Sequence, residues 1–405
     1  MMKKRVLIAS YNMIVGVSTT ALIGLLNAFD TTSYDVDLIL YKNEGRLFDF
    51  IPSNIHILPE AFTCNGKLGG LRKRVQGILS GYLLKARIEN LRIKKRGMSQ
   101  QILYDFQVNQ LSRKIDGHYD IAIGFLEGWA DRYIASTVDA DVKVGWLHST
   151  FSKIGTIPKL EIAWMDKVDK IAVVAQSCAE DFVKTLPQYR DKTFYIPNII
   201  DANYIRTRAL EIDAEDMEYK HFAASKKFKI ISVCRLSIET KGLDRMIVAA
   251  EKLMQDGYSF VWYVIGEGLD RAAIEKMIIQ RNLQEYFILA GVRTNPYPFL
   301  KAANIMCMAS RWEGMPSTVT EAKILGVPSV VTEYLSAREQ IEQNIEGIIV
   351  DNNDDSIEDG LRWCLDNESE LNRMREYLLS KNYGNDKTFH QIENILFERE
   401  TKDER

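Results

Sequence analysis

The stretch Ile305-Met306-Cys307-Met308-Ala309-Ser310-Arg311-Trp312-Glu313-Gly314-Met315-Pro316-Ser317-Thr318-Val319-Thr320-Glu321-Ala322 reads as a strand, a loop and a helix in succession. Four consecutive apolar residues, Ile305–Met308, fit a strand buried on both faces, as parallel sheets require. Pro316 suits the first turn of a helix, where its missing N–H costs nothing. The helix then runs to about Leu325 and stops at Gly326. Glu313 and Gly314 fall just beyond the carboxyl end of the strand, where ligands bind in doubly wound folds. Gly314 permits unusual backbone angles and close ligand approach. Free N–H groups and the positive end of a helix dipole face the same place, which suits a diphosphate. Glu321 lies about one turn into the helix. A carboxylate there does not favour phosphate, but it accepts hydrogen bonds from sugar hydroxyls, and two carboxylates can hold two sugar rings. Taken alone, two ordinary surface acids near a helix start give the same pattern.

The same alternation extends outward in both directions. Candidate strands fall at 6–9, 36–40, 55–58, 121–124, 142–146, 170–174 and 193–196, and again at 229–233, 260–265, 287–290, 305–308, 329–331 and 347–350, with helical patterns between most of them. Strand–helix alternation implies an α/β protein with parallel sheets covered by helices on both faces. At 405 residues the chain is long enough for two domains. The boundary falls near Pro197 and Tyr204, followed by a polar, charged stretch at 206–227 and then a fresh strand–helix series. At the amino end, Lys3-Lys4-Arg5 and a mostly apolar run to Phe29 resemble a signal peptide, but Tyr11-Asn12 and Ser18-Thr19-Thr20 interrupt the run. Strand 5–10, a loop containing Gly16, and a helix at about 19–29 fit it better.

Composition is that of a soluble protein, 46% apolar and 26% charged. Residues 1–200 carry 26 Lys/Arg against 20 Asp/Glu and the remainder 26 against 35, so an anionic partner is expected on the amino-terminal side. Much of that excess lies in 67–96, which holds ten Lys/Arg and one acid, Glu89, interleaved with leucines, isoleucines and Tyr82. This pattern predicts one or two basic amphipathic helices, a membrane-surface signature, with a solvated helical insertion as the alternative. No recognised nucleic-acid module accompanies it, so no nucleic-acid partner is expected. No stretch is long and apolar enough to span a membrane. The five cysteines are scattered, and none pairs in a CxxC or a Cys/His cluster with zinc spacing. Reduced thiols in a cytoplasmic protein are the plain reading.

Further signals sit at other strand ends. A loop carrying Arg235 and Lys241-Gly242 follows the strand ending at Val233, a helix begins near Leu243, and two cations there can neutralise a diphosphate leaving group. Gly266-Glu267-Gly268 ends a strand ahead of a helix, a nucleotide-loop shape that is weak by itself and is not a Walker loop. His148 ends a strand in the first half, and Gly16 follows the first strand. No G-x-S-x-G elbow, H-E-x-x-H motif or metal cluster is found.

Taken in order, Arg235…Lys241-Gly242, Gly266-Glu267-Gly268 and the E-x7-E pair Glu313…Glu321 resemble the retaining glycosyltransferases of family 4. His148, the run 173–180, and Pro197-Asn198 with Asp201 extend the likeness into the first half. The resemblance implies a GT-B fold, two Rossmann-like doubly wound domains facing a central cleft. Residues 1–200 would bind the acceptor, 201–384 the nucleotide sugar, and 385–405 would form a helix packing back on the amino-terminal domain. It further implies that Arg235 and Lys241 contact the donor diphosphate. Glu313 contacts sugar hydroxyls, and the backbone of Gly314, Met315, Pro316 and Ser317 lies at sugar and phosphate. Glu321 contacts the ribose, Gly266 and Gly268 line the donor, His148 lies near the donor sugar, and Gly16 lets the first loop approach the diphosphate. Glu313, His148, Lys241 and Arg235 form the implied catalytic set, and neither metal nor cofactor is implied. Gly16 is followed by Val17 rather than a second glycine, Pro197-Asn198 by Ile199, and Ala175 replaces a usual serine. The expected reaction moves a sugar from a nucleoside-diphosphate sugar, UDP- before GDP-, to a glycan. The expected acceptor is a lipid-linked oligosaccharide of surface polysaccharide synthesis, at the cytoplasmic membrane face. A non-catalytic binding subunit and a sugar-nucleotide epimerase of the same fold are the alternatives.

Overall fold

The computed structural model describes residues 3–62, 81–92, 99–385 and 389–397. The chain divides into two compact units: residues 1–14, 25–197 and 388–405 form the first, and residues 15–24 and 198–387 the second.

Unit 1 is built on a parallel sheet of seven strands: β1 (Lys4–Ser10), β2 (Tyr34–Leu40), β3 (His56–Ile57), β4 (His118–Phe125), β5 (Asp139–Leu147), β6 (Lys170–Val173) and β7 (Thr193–Tyr195), in the order β3-β2-β1-β4-β5-β6-β7. Val6, Leu7, Ile8 and Ala9 are wholly buried, as a central parallel strand covered on both faces demands. The order reverses between β1 and β4, which opens a crevice at the carboxyl ends of the strands there. The helix Phe389–Phe397 belongs to this unit. Phe389 packs edge-on to Phe29 at 5.0 Å between ring centroids, and Phe397 lies 5.3 Å from Tyr34. Of the basic segment, only the helix Tyr82–Arg92 is described; 67–80 and 93–96 lie outside the described residues.

Unit 2 repeats the plan with β8 (Phe228–Val233), β9 (Phe260–Ile265), β10 (Phe287–Gly291), β11 (Ile305–Met308), β12 (Ser329–Thr332) and β13 (Gly347–Val350), ordered β10-β9-β8-β11-β12-β13 and all parallel. Its switch point lies between β8 and β11. One core fills each face: Ile231, Met306, Val319 and Val331 on one side, Ile230, Leu243, Trp262 and Cys307 on the other. The helix Leu243–Gln255 shows why it sits there. Leu243, Met246, Ile247, Ala250 and Leu253 recur at helical spacing and are all buried. The stretch 206–227, expected to be polar and charged, contains the end of the helix Ala202–Arg208 and the whole of the helix Met217–Ala224. Each is started by an aspartate, Asp201 or Asp216, whose carboxylate accepts hydrogen bonds from the first free N–H groups.

Candidate functional site

β8 and β11 are neighbours, so whatever follows them meets at the switch point of unit 2. Beyond β8 come Cys234 and Arg235, and then a short helix, Ile238–Lys241. Lys241 was expected in a loop. Ser237 instead caps the helix by accepting from the Thr240 N–H, and Gly242 closes it at φ 66°. A Cβ on Gly242 would stand 2.2 Å from the Ala309 carbonyl oxygen, so the turn after Lys241 lies backbone to backbone against the exit of β11. Arg311 secures the same junction. Its N–H donates to Thr240 O at 2.9 Å, and its guanidinium donates to Ile238 O at 2.7 Å and to both oxygens of Asp244 at 3.0 and 2.7 Å. The result is an ion pair between the Lys241 ammonium and Glu313 Oε1, the same oxygen that accepts from Ser310 Oγ at 2.6 Å. Arg235 is exposed beside them. Burial pushes the Cys234 thiol up to about 11, with Lys241 and Arg235 pulling it down and Glu313 pushing it up. All three charges therefore bear on one sulfur.

The loop after Glu313 is held by its carbonyls. Gly314 O accepts from the Ser336 hydroxyl, and Pro316 O accepts from Gln340 Nε2 at 3.0 Å. Pro316 is the N-cap of the helix Ser317–Ile324 rather than part of its first turn: φ −66° would suit a helix, but ψ 113° is extended. No side chain caps this helix, which leaves its first N–H groups suited to an anion. Met315 is half-buried beside it. Ser317 Oγ donates to Glu321 Oε1 at 3.0 Å. Glu321 is buried, and burial pushes its carboxyl up to about 7 against that one bond. Its charge also reaches the buried phenol of Tyr297.

The remaining predicted residues are placed differently. Gly266, at φ 151°, has no room for a side chain: a Cβ would lie 1.9 Å from Cys234 O, and one on Gly268 would lie 2.1 Å from Leu236 O. Cys234 N donates to Ile265 O and Leu236 N to Glu267 O, both at 3.0 Å. These glycines thus let the exit of β9 lie along the Arg235 loop. Gly16 is exposed and groups with unit 2. Its carbonyl accepts from Thr19 N and Thr20 N at 3.1 and 3.0 Å and opens the helix Val17–Ala28. Nothing lies within 4 Å of where its Cβ would be, so the fold itself does not require glycine there. His148 follows β5 in unit 1. Its ring packs 4.5 Å from Phe125 and 5.9 Å from Trp146, centroid to centroid, and burial pushes it down to about 3, so it is neutral.

Unit 2 therefore gathers Arg235, Lys241, Glu313–Ser317 and Glu321 at one switch point, while His148 belongs to the other unit. Sequence reasoning missed Ser310, Ser336, Gln340 and the Arg311–Asp244 pair as supports. The Ser237…Gly242 punctuation was a legible sign of the short helix. Ser336 and Gln340 carried none. Among the described residues no group of three or more His, Cys, Asp or Glu is placed to share a metal ion.

Two Rossmann-like units, with seven and six parallel strands, define the GT-B fold. Residues 213–380, within unit 2, match the family described as glycosyl transferases group 1. A solved Anabaena protein, Alr3699/HepE in complex with UDP and glucose, shares the fold with a TM-score of 0.70 at 15% identity, over 97% of this chain and 99% of that one. An uncharacterized glycosyltransferase of Methanocaldococcus jannaschii, MJ1059, is 26% identical over 173 residues, 43% of this chain and 42% of the relative. A Campylobacter jejuni N-acetylgalactosamine-N,N'-diacetylbacillosaminyl-diphospho-undecaprenol 4-alpha-N-acetylgalactosaminyltransferase is 27% identical over 205 residues, 50% of this chain and 52% of the relative. The chain thus spans about half the length of these two curated relatives.

Proposed function

We propose that this chain is a family 4 glycosyltransferase that moves a sugar, with retention at the anomeric carbon, from a nucleoside-diphosphate sugar to a glycan. The observation that carries the reading is the Lys241–Glu313 pair beside the uncapped helix Ser317–Ile324. The donor lies across it. Lys241, Arg235 and the helix N-terminus take the diphosphate, Glu313 takes sugar hydroxyls, and Glu321 takes the ribose hydroxyls. Before the donor arrives, the ion pair neutralises both charges in a site where a lone charge is costly. As the bond from the anomeric carbon to the phosphate oxygen breaks, charge grows on that oxygen, and the two cations and the helix stabilise it. The acceptor hydroxyl attacks from the same face and its proton passes to the departing phosphate. No protein nucleophile and no metal ion enters this scheme. The fold neighbour that holds UDP and glucose supports UDP over GDP as the nucleotide. Unit 1 receives the acceptor, and His148 meets a sugar hydroxyl.

The test is release of UDP or GDP from a panel of nucleotide sugars, with and without polyprenyl-diphosphate-linked glycan. Lys241→Ala should lose about 100-fold or more of turnover while the protein still folds, its melting temperature lowered by the unpaired Glu313 charge. Turnover near the wild-type rate in that variant refutes the assignment.

A lipid-linked acceptor in surface polysaccharide synthesis is the reading favoured for the substrate, supported by the diphospho-undecaprenol in the Campylobacter relative's name. The helix Tyr82–Arg92 favours a place on an anionic membrane at the cytoplasmic face. Leu84, Ile88 and Leu91, spaced for one side of a helix, are exposed by 66%, 42% and 72%, with Lys85, Arg87 and Arg92 also exposed. Among the described residues no helix is long and apolar enough to cross a membrane.

A further inference from the structure

In unit 1, β4 and β5 run side by side, with Phe125 paired to Trp146 at their carboxyl ends. The chain leaves β4 through Leu126, Glu127 and Gly128 before the helix Trp129–Thr137 begins. Leu126 has φ 128°, a conformation that side-chain-bearing residues rarely adopt. Such strain costs about 1–3 kcal/mol and persists only where the surroundings over-determine it. Here they do. The Tyr11 hydroxyl accepts from Trp129 N at 2.7 Å and donates to Glu127 O at 3.3 Å. Gly128 has φ 109°, and a Cβ on it would stand 2.6 Å from the Tyr11 hydroxyl and 2.8 Å from the Tyr104 ring.

What the strained turn delivers is the position of the Glu127 carboxylate. Its Oε2 accepts from His148 N at 2.9 Å, and Ser149 adds a side-chain hydrogen bond to the same carboxylate. Glu127 therefore ties down the two residues that follow β5. His148 has little else to fix it. Its ring is gripped by apolar contacts with Phe125 and Trp146, and Nε2 is buried without a hydrogen-bond partner among the described residues. A buried ring nitrogen left so is costly unless something meets it, and a sugar hydroxyl would.

We propose that Glu127 is a positioning residue of the transfer reaction: its carboxylate fixes the His148 backbone, and so the aim of Nε2, at the cost of the strain in Leu126. The inference rests on the proposed role of His148 at the sugar. Glu127 acts through His148, so removing both should cost little more than removing His148 alone.

A double-mutant cycle tests this, with nucleoside-diphosphate release from the best nucleotide sugar as the rate, UDP affinity measured apart, and melting temperature as the control for folding. Glu127→Ala is expected to lower kcat by about tenfold to a hundredfold, the scale of a misplaced reacting group, while UDP affinity stays within about twofold. Glu127→Gln, whose amide oxygen still accepts from the His148 N–H, should recover most of that loss. In a His148→Ala background, Glu127→Ala should add less than about twofold. Should Glu127→Ala fail to fold, Glu127→Asp, which withdraws the carboxylate without emptying the site, replaces it in the same cycle. Multiplying effects of the two substitutions, or an unchanged kcat in the Glu127 variant, overturns the inference. A His148→Ala protein at the wild-type rate, or a wild-type protein that releases no nucleoside diphosphate from any nucleotide sugar, overturns the functional reading beneath it instead.

Discussion

Glu321 is a carboxyl group in a poor place for a charge: buried, with one hydrogen bond from Ser317 and a pKa pushed from 4.5 up to about 7 by burial. The folded chain holds this proton more tightly than the unfolded one. The group's contribution to stability is therefore full below about 4.5 and is lost as the pH rises through about 7. Glu321→Gln removes the penalty, so at pH 8 the variant should melt above the wild type, and near pH 5 the two should converge in scanning calorimetry. The same substitution should weaken UDP binding about tenfold, the scale of a hydrogen bond to a charged group. For the wild type, UDP affinity should fall as the pH drops below about 7, because hydroxyl donors favour the ionised carboxylate. A variant that gains stability and keeps its affinity would make Glu321 a structural acid. Lys241 and Glu313 contrast with it, since each already has the other as partner before any ligand binds.

The helix Tyr82–Arg92 leaves both apolar and charged side chains exposed. An apolar row of Leu84, Ile88 and Leu91 flanked by Lys85, Arg87 and Arg92 suits an anionic lipid surface better than water. The chain should co-sediment with vesicles containing phosphatidylglycerol at low salt and come off as salt rises, and Leu84→Asp with Leu91→Asp should abolish the binding. No binding at low salt removes the membrane from the account. At this scale the sequence was most legible where elements are long or apolar. All thirteen expected strands are present among the described residues, because each lies in a short run rich in apolar or β-branched side chains. Four residues carry no period, so the helix Ile238–Lys241 read as loop, although Ser237 and Gly242 marked its two ends. Pro316 was read one position too deep in its helix, because its fixed φ suits both the N-cap and the first turn. Ser336 and Gln340 reach Gly314 and Pro316 from 22 and 24 residues downstream, a contact that only the pairing of β11 with β12 creates.

Two sheets with the same winding carry different chemistry at the carboxyl ends of their strands. Unit 2 places cations, two carboxylates and an uncapped helix at the ends of β8 and β11. Unit 1 places Glu127 and a neutral histidine at the ends of β4 and β5. The division of the chain was less legible than the sheets. Residues 15–24 group with unit 2, and such grouping depends on long-range packing that no local pattern announces. The candidate site of unit 2 was legible because its residues follow strand ends at short spacing. Glu127 was not, since a lone glutamate after a strand looks like any surface acid until its neighbour in the sheet is known. The proposed function requires that unit 2 bind a nucleoside diphosphate through Lys241 and its partners. Isothermal titration of UDP and GDP into the whole chain and into Lys241→Ala checks this. The prediction is saturable binding of one nucleotide per chain, UDP tighter than GDP, weakened about tenfold or more in the variant by loss of a charge-assisted contact. Absence of binding by either nucleotide, or equal affinity in the variant, contradicts it.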